Sequence, residues 1–229
     1  MRDYYIYLVW QDPNTRRNFT IGQLTRCVDK YTFSYLPDAE EAKKCGWQYL
    51  NAFPADRIYE SDIVFPVFSS RLPDRKRRGI ESILKKYDLS QYDEFEFLRK
   101  SGAQLPIDTY KFIDPIFEDE ETIQRDFYVV GIRHYAKCEG TNCEKICVKS
   151  GEDLVFVPDP QNEYDKNAIR IANKDGEHLG YVPRYYNAAI LKRINKGYSY
   201  SCVVIEVNRD SACSECIKVR LNMPRTVKN

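Results

Sequence analysis

Histidine, methionine and tryptophan are scarce in this chain, with two of each in 229 residues. Two histidines, His134 and His178, leave little material for histidine-based catalysis or a multi-histidine metal centre. The sequence also contains no phosphate-cradling GxxxxGK[ST] loop, no HExxH helix and no nucleophile elbow, so the expectation is a protein that is not an enzyme. No apolar run approaches the roughly eighteen residues that cross a bilayer. The opening segment MRDYYIYLVWQD lacks the basic, apolar and small-residue order of a secretory leader. A cytoplasmic protein with no membrane partner is expected. A net charge is missing too: 35 Lys and Arg against 34 Asp and Glu give +1, so any affinity for nucleic acid must come from a local patch.

What the chain does contain is 43% hydrophobic and 30% charged residues, a globular composition, over a length that suits one large or two small domains. The most informative stretch is GEDLVFVPDPQNEYDKNAIRIANKDGEHLGYV, residues 151–182. Leu154 to Val157 form an apolar, β-branched run that Pro158-Asp159-Pro160 stops, and Ala168 to Ile171 resume strand-like alternation. Asp175-Gly176 supplies a pair that tolerates positive φ in a tight turn, with Leu179 to Val182 as the return strand. Between the first two strands lie Gln161, Asn162, Tyr164, Asp165, Lys166 and Asn167, a polar loop that no packing requirement explains.

The string DPQNEYDKNAI followed by GxxxGYVP resembles the HIRAN domain. The resemblance begins at Phe127 and the run Gly131-Ile132-Arg133-His134-Tyr135, takes in a helix at 184–196, and ends in the strand Tyr200 to Val207. It implies a six-stranded, OB-like β-barrel with one helix over residues 122–229. It also implies binding of single-stranded DNA ends, with Asp165 accepting a hydrogen bond from a free 3′ hydroxyl. An ionised carboxylate only accepts hydrogen bonds and repels a phosphate, so it can select an end over an internal nucleotide. On the same resemblance Tyr164 stacks on the terminal base, Asn162, Lys166 and Asn167 contact its edge or the next phosphate, and Arg133, His134 and Tyr135 hold further nucleotides from the end of the first strand. Aromatic faces beside cationic and amide groups are the usual means of holding a single strand. A second reading of the same residues stays open: Asp165 and Asn167 satisfy backbone groups in an Asx turn while Tyr164 plugs the barrel end.

Six of the eight cysteines lie in the C-terminal half. Cys138, Cys143 and Cys147 follow the first barrel strand, and Cys213 and Cys216 form a CxxC before the last one. If those strands pair antiparallel, the two clusters meet. Cys138 (or Cys147), Cys143, Cys213 and Cys216 could then bind a structural zinc with Zn–S distances of about 2.3 Å. Unpaired thiols and redox chemistry remain the other readings, while Cys27, Cys45 and Cys202 fall in core-like patterns.

The N-terminal half reads as a separate unit, residues 1–121, ending in the acidic linker Glu118 to Glu121. Residues 3–10 are an aromatic-rich strand, and 19–27 with 31–36 a hairpin. A helix is expected over 77–88, from the stripe Ile80, Ile83, Leu84 and Tyr87. A second helix, capped by Ser90, carries Phe95, Phe97 and Leu98 and stops at Gly102, and 109–113 is again a strand. The segment Phe68-Ser69-Ser70-Arg71-Leu72-Pro73-Asp74-Arg75 is similar to the turn of the HipA-type kinase N-terminal subdomain. This implies a small sheet with helices, an overall α+β chain, and a docking module. A HipA-like kinase or another protein is the implied partner, in a toxin–antitoxin setting. The kinase's phosphate loop and catalytic residues have no counterpart. Arg71, Arg75, Lys76, Arg77 and Arg78 could form a phosphate-binding patch or a solvated helix start.

Overall fold

The computed structural model describes residues 4–106, 108–135, 148–209 and 215–226. The chain is α+β and divides between Pro115 and Ile116 into two compact units.

The N-terminal unit is built on five antiparallel strands in the order β4-β3-β2-β1-β5: β1 (Tyr4–Gln11), β2 (Asn18–Arg26), β3 (Tyr31–Tyr35), β4 (Tyr59–Ser61) and β5 (Tyr110–Ile113). Its core is aromatic. Phe33 lies on Phe53 with ring centroids 4.4 Å apart and meets Phe68 edge-on at 5.3 Å, while Phe68 meets Phe112 at 5.0 Å. Gly22 makes room for this stack, since a Cβ there would sit 2.6 Å from the Phe33 ring. The Tyr35 hydroxyl donates to the Phe53 carbonyl and accepts from the Leu50 amide, pinning the long segment between the hairpin and β4.

Four helices accompany the sheet: α1 (Asp38–Lys44), α2 (Pro66–Ser69), α3 (Ile80–Lys86) and α4 (Glu94–Ser101). The expected helix over 77–88 is shorter than its stripe suggests, because Gly79 at φ +81° interrupts helical geometry and α3 starts behind it. The stripe residues are only half-buried. The cap of α4 is Asp93, not Ser90: its carboxylate accepts the Glu96 amide, and Gly102 at φ +71° closes the other end. Arg71 is not a surface cation. It pairs with Asp108 at 2.5 Å and donates to the Ala103 and Tyr110 carbonyls, so the basic run is reduced to Arg75, Lys76, Arg77 and Arg78, exposed ahead of α3. Of these, Arg75 lies over the Tyr92 ring.

The C-terminal unit is a curled six-stranded antiparallel sheet in the order β6-β11-β10-β7-β8-β9. The strands are β6 (Thr122–Tyr128), β7 (Asp153–Pro158), β8 (Ile169–Ala172), β9 (His178–Tyr181), β10 (Ser201–Val207) and β11 (Ile217–Pro224). Alternation is strict on β11, where Ile217, Val219, Leu221 and Met223 face inward. Among the described residues, the two edges of the sheet meet where Val130, just past the end of β6, and Tyr181 of β9 exchange both backbone hydrogen bonds. Gly180 permits that closure: a Cβ on it would lie 2.4 Å from the Val130 carbonyl oxygen. α5 (Ile132–Tyr135) and α6 (Arg184–Asn195) complete the unit. Where β7 outruns its pairing with β10, the Tyr200 hydroxyl accepts the Phe156 amide at 2.9 Å and the two rings stack.

Candidate nucleic-acid interface

The loop between β7 and β8 is folded by its own polar side chains. Its ends are tied by the Asp159 amide, which donates to the Ala168 carbonyl. Within it, Asn162 Oδ1 accepts the amides of Tyr164 and Asp165 at 3.0 and 3.1 Å. Asp165 Oδ1 in turn accepts the Asn167 amide at 2.9 Å. These are successive Asx turns, which give otherwise unpaired amides an acceptor in a stretch too short for regular structure. A further anchor comes from outside the loop. Asn187, on α6 and only 3% exposed, donates through Nδ2 to Asp165 Oδ2 at 2.8 Å.

The Asx-turn reading of Asp165 is therefore correct as far as it goes. Its two oxygens each take one donor, and with about four lone-pair sites on a carboxylate it keeps capacity to accept another. The other half of that reading fails. Tyr164 does not plug the barrel end; it is 81% exposed, the most solvated large hydrophobic residue among the described residues. Lys166 and Asn167 are exposed beside it, and Asn162 is half-buried by its turn bonds.

Arg133, His134 and Tyr135 do not end a strand, as expected from the sequence. They lie on the single helical turn α5, because Gly131 at φ +80° breaks the extended run after the Val130 bridge, and the His134 amide donates to the Gly131 carbonyl. Ile132 is buried by this turn, while Arg133 and His134 face solvent. Tyr135, 42% exposed, packs on His178 with centroids 4.0 Å apart and edge-on to Tyr181 at 5.2 Å. The Tyr181 hydroxyl donates to Asp159 Oδ2 at 2.8 Å, so the aromatic group is joined to the start of the polar loop. Burial first, then hydrogen bonding to Asp159, pushes the Tyr181 phenol well above its usual value. Burial also lowers His178, whose Nε2 lies 3.0 Å from the Gly180 carbonyl. Arg170, opposite Tyr181 on β8, stands 3.8 Å from the same Asp159 oxygen.

Asp159, Arg170, His178 and Tyr181 were missed by sequence reasoning. Tyr181 sits inside the GxxxGYVP string, but there it reads only as strand. The signal was Gly180: a glycine forced by close backbone approach places its neighbour at the seam where the sheet closes.

The proposed metal ligands Cys138, Cys143 and Cys213, with the alternative Cys147, lie outside the described residues. Cys216 is buried immediately before β11, which pairs antiparallel with β6. Among the described residues no group of three or more His, Cys, Asp or Glu is placed to hold a metal. Cys202 is a core residue whose thiol burial pushes up to about 12, whereas Cys27 and Cys45 are only partly buried. No helix among the described residues is long and apolar enough to cross a membrane.

Two family models match the chain: the HipA N-terminal domain over residues 16–106 and the HIRAN domain over residues 124–223. Three solved structures are similar to part of the chain. The crystal structure of the HIRAN domain of human HLTF is 23% identical with a TM-score of 0.35, covering 45% of this chain and 78% of that one. The NMR structure of the HLTF HIRAN domain in its DNA-bound conformation is 25% identical with a TM-score of 0.31, covering 47% and 82%. A protein from Lactobacillus plantarum is 19% identical with a TM-score of 0.37, covering 44% and 94%. No curated protein matches. The chain thus joins, in one polypeptide, a segment matching the HipA N-terminal domain to a segment matching the HIRAN domain.

Proposed function

We propose that the C-terminal unit binds single-stranded DNA, without converting it chemically, by gripping a free 3′-hydroxyl end in the loop between β7 and β8. The observation that carries this reading is the pairing of Tyr164, held out in solvent, with a carboxylate fixed from two sides and still able to accept a hydrogen bond. An exposed ring on a well-ordered turn is a stacking platform, and a fixed acceptor beside it distinguishes a hydroxyl from a phosphate. The match of residues 124–223 to the HIRAN domain, one member of which is described in a DNA-bound conformation, supports the DNA-binding part of this reading. Tyr135, with Arg133 and His134 on α5, extends the contact to further nucleotides, and Lys166 meets the backbone. The protein acts in the cytoplasm on this reading.

Fluorescence anisotropy with 3′-hydroxyl, 3′-phosphate and end-blocked oligonucleotides tests it. The expected result is that wild-type protein prefers the free end and that Asp165→Ala weakens that binding by about 1.5–3 kcal/mol, roughly ten- to a hundredfold, while weak internal-strand binding persists. Equal affinity of wild-type protein for free and blocked ends overturns the assignment.

The match of residues 16–106 to the HipA N-terminal domain favours a second reading, in which that unit docks a HipA-like kinase in a toxin–antitoxin system and DNA binding is secondary. Co-purification with a kinase encoded beside it is the expected result. Separately, the Cys138, Cys143, Cys213 and Cys216 set is kept as a zinc proposal. It predicts about one zinc per chain and a lower melting temperature on chelation; substoichiometric metal from a zinc-replete preparation removes it.

A further inference from the structure

We infer that Asn187 is a positioning residue that sets the end-selectivity of the loop by holding Asp165, an inference that rests on the 3′-end reading above. Asn187 sits on α6, twenty-two positions beyond Asp165, and is buried to 3% exposure at a helix position flanked by the buried Tyr186 and near the buried Ile190. An apolar side chain would serve packing better there. Its amide is only half satisfied: Nδ2 donates to Asp165 Oδ2 at 2.8 Å, whereas Oδ1 is buried without any hydrogen-bond partner. A buried acceptor left unpaired is a net cost, and turning the amide over would set its oxygen against the carboxylate instead. The single thing this side chain accomplishes is to fix Asp165 from the rigid helix.

The consequence is geometric. Asn167 and Asn162 bind Asp165 from within the loop, and those bonds move with the loop. Asn187 alone ties the carboxylate to an element of regular structure among its described partners, and so sets where the remaining lone pairs point. A recognition group selects well only if its own orientation is locked by such support.

Asn187→Leu tests this, since leucine keeps the branched shape of the side chain and removes both the donor and the unpaired carbonyl. The measured quantity is the ratio of affinities for 3′-hydroxyl and 3′-phosphate oligonucleotides, with melting temperature read in parallel. The expected result is an undiminished melting temperature and a ratio reduced about five- to tenfold, the value of one hydrogen bond. In an Asp165→Ala background the same substitution should leave the ratio unchanged, because the residue acts only through that carboxylate. A ratio that survives Asn187→Leu in a folded protein overturns the positioning role while leaving end recognition intact, and so does an effect that persists without Asp165. A wild-type protein with no preference to lose overturns both.

Discussion

The two units put the same residue class to opposite uses. In the N-terminal unit Phe19, Phe33, Phe53, Phe68, Phe95, Phe97 and Phe112 are fully buried, ring against ring. The C-terminal unit has a mainly aliphatic interior of Ile169, Ile171, Ile190, Val204, Val219 and Leu221, and holds Tyr135 and Tyr164 out in solvent. The difference lies in what surrounds the rings. Over the N-terminal sheet, aromatic side chains reach one another and Gly22 gives them depth. At the seam of the curled sheet, consecutive Asx turns satisfy the loop backbone locally, so the Tyr164 ring is not needed for packing, and Tyr135 is only partly covered by His178 and Tyr181. An aromatic ring freed from the core on an ordered turn is available for a ligand.

The sharpest way to test this contrast is at its two extremes. Phe33→Ala removes the ring at the centre of the N-terminal stack, and a fully buried phenylalanine of this kind contributes about 3–5 kcal/mol. Calorimetry should show a large loss of N-terminal stability, while affinity for single-stranded DNA stays at the wild-type level. A parallel loss of DNA binding would break the division of labour between the units.

Tyr164→Ala is the complementary change. With so little of its surface buried, stability should move by less than about 0.5 kcal/mol. Affinity should fall by about 1–3 kcal/mol for every single strand, whatever its terminal group, because stacking is indifferent to the end. Asp165→Ala should abolish the preference that Tyr164→Ala keeps. If Tyr164→Ala binds as tightly as wild type, the exposed ring is not a platform.

The smallest effect expected is that of pH on the C-terminal unit. Burial lowers His178, so the folded state favours its neutral form more than the unfolded chain does. Its contribution is complete above the unfolded value of about 6.5 and is lost progressively as pH falls below it. Melting temperatures of wild type and His178→Phe, compared across that range, should diverge only on the acid side.

Most of the strands were legible because they carry a local pattern. The alternation on β11, the apolar run of β7 and the Asp-Gly turn before β9 are readable one segment at a time, and so are the aromatic β1 and the β2–β3 hairpin. The helix over 77–88 was read too long because its apolar stripe gave no weight to Gly79. Ser90 and Asp93 are both residue types that can cap, and only the observed bond to the Glu96 amide separates them. The short elements α1, α2 and β4 have no periodicity long enough to read and depend on the core beneath them.

For the candidate site, the sequence by itself determined the loop: Asn162, Tyr164 and Asp165 lie within four residues, and the short polar side chains of Asn162 and Asp165 close turns on neighbouring amides. Asx turns are local chemistry, written where they act. Tertiary structure alone decided what stands around that loop. Asp159, Tyr135, His178 and Tyr181 meet because the sheet curls until Val130 and Tyr181 pair, and that closure depends on the bare backbone at Gly180. Asn187 reaches Asp165 from α6, twenty-two positions along the chain. Contacts of this kind are set by curvature and packing between segments distant in the chain, and no spacing along the sequence records them.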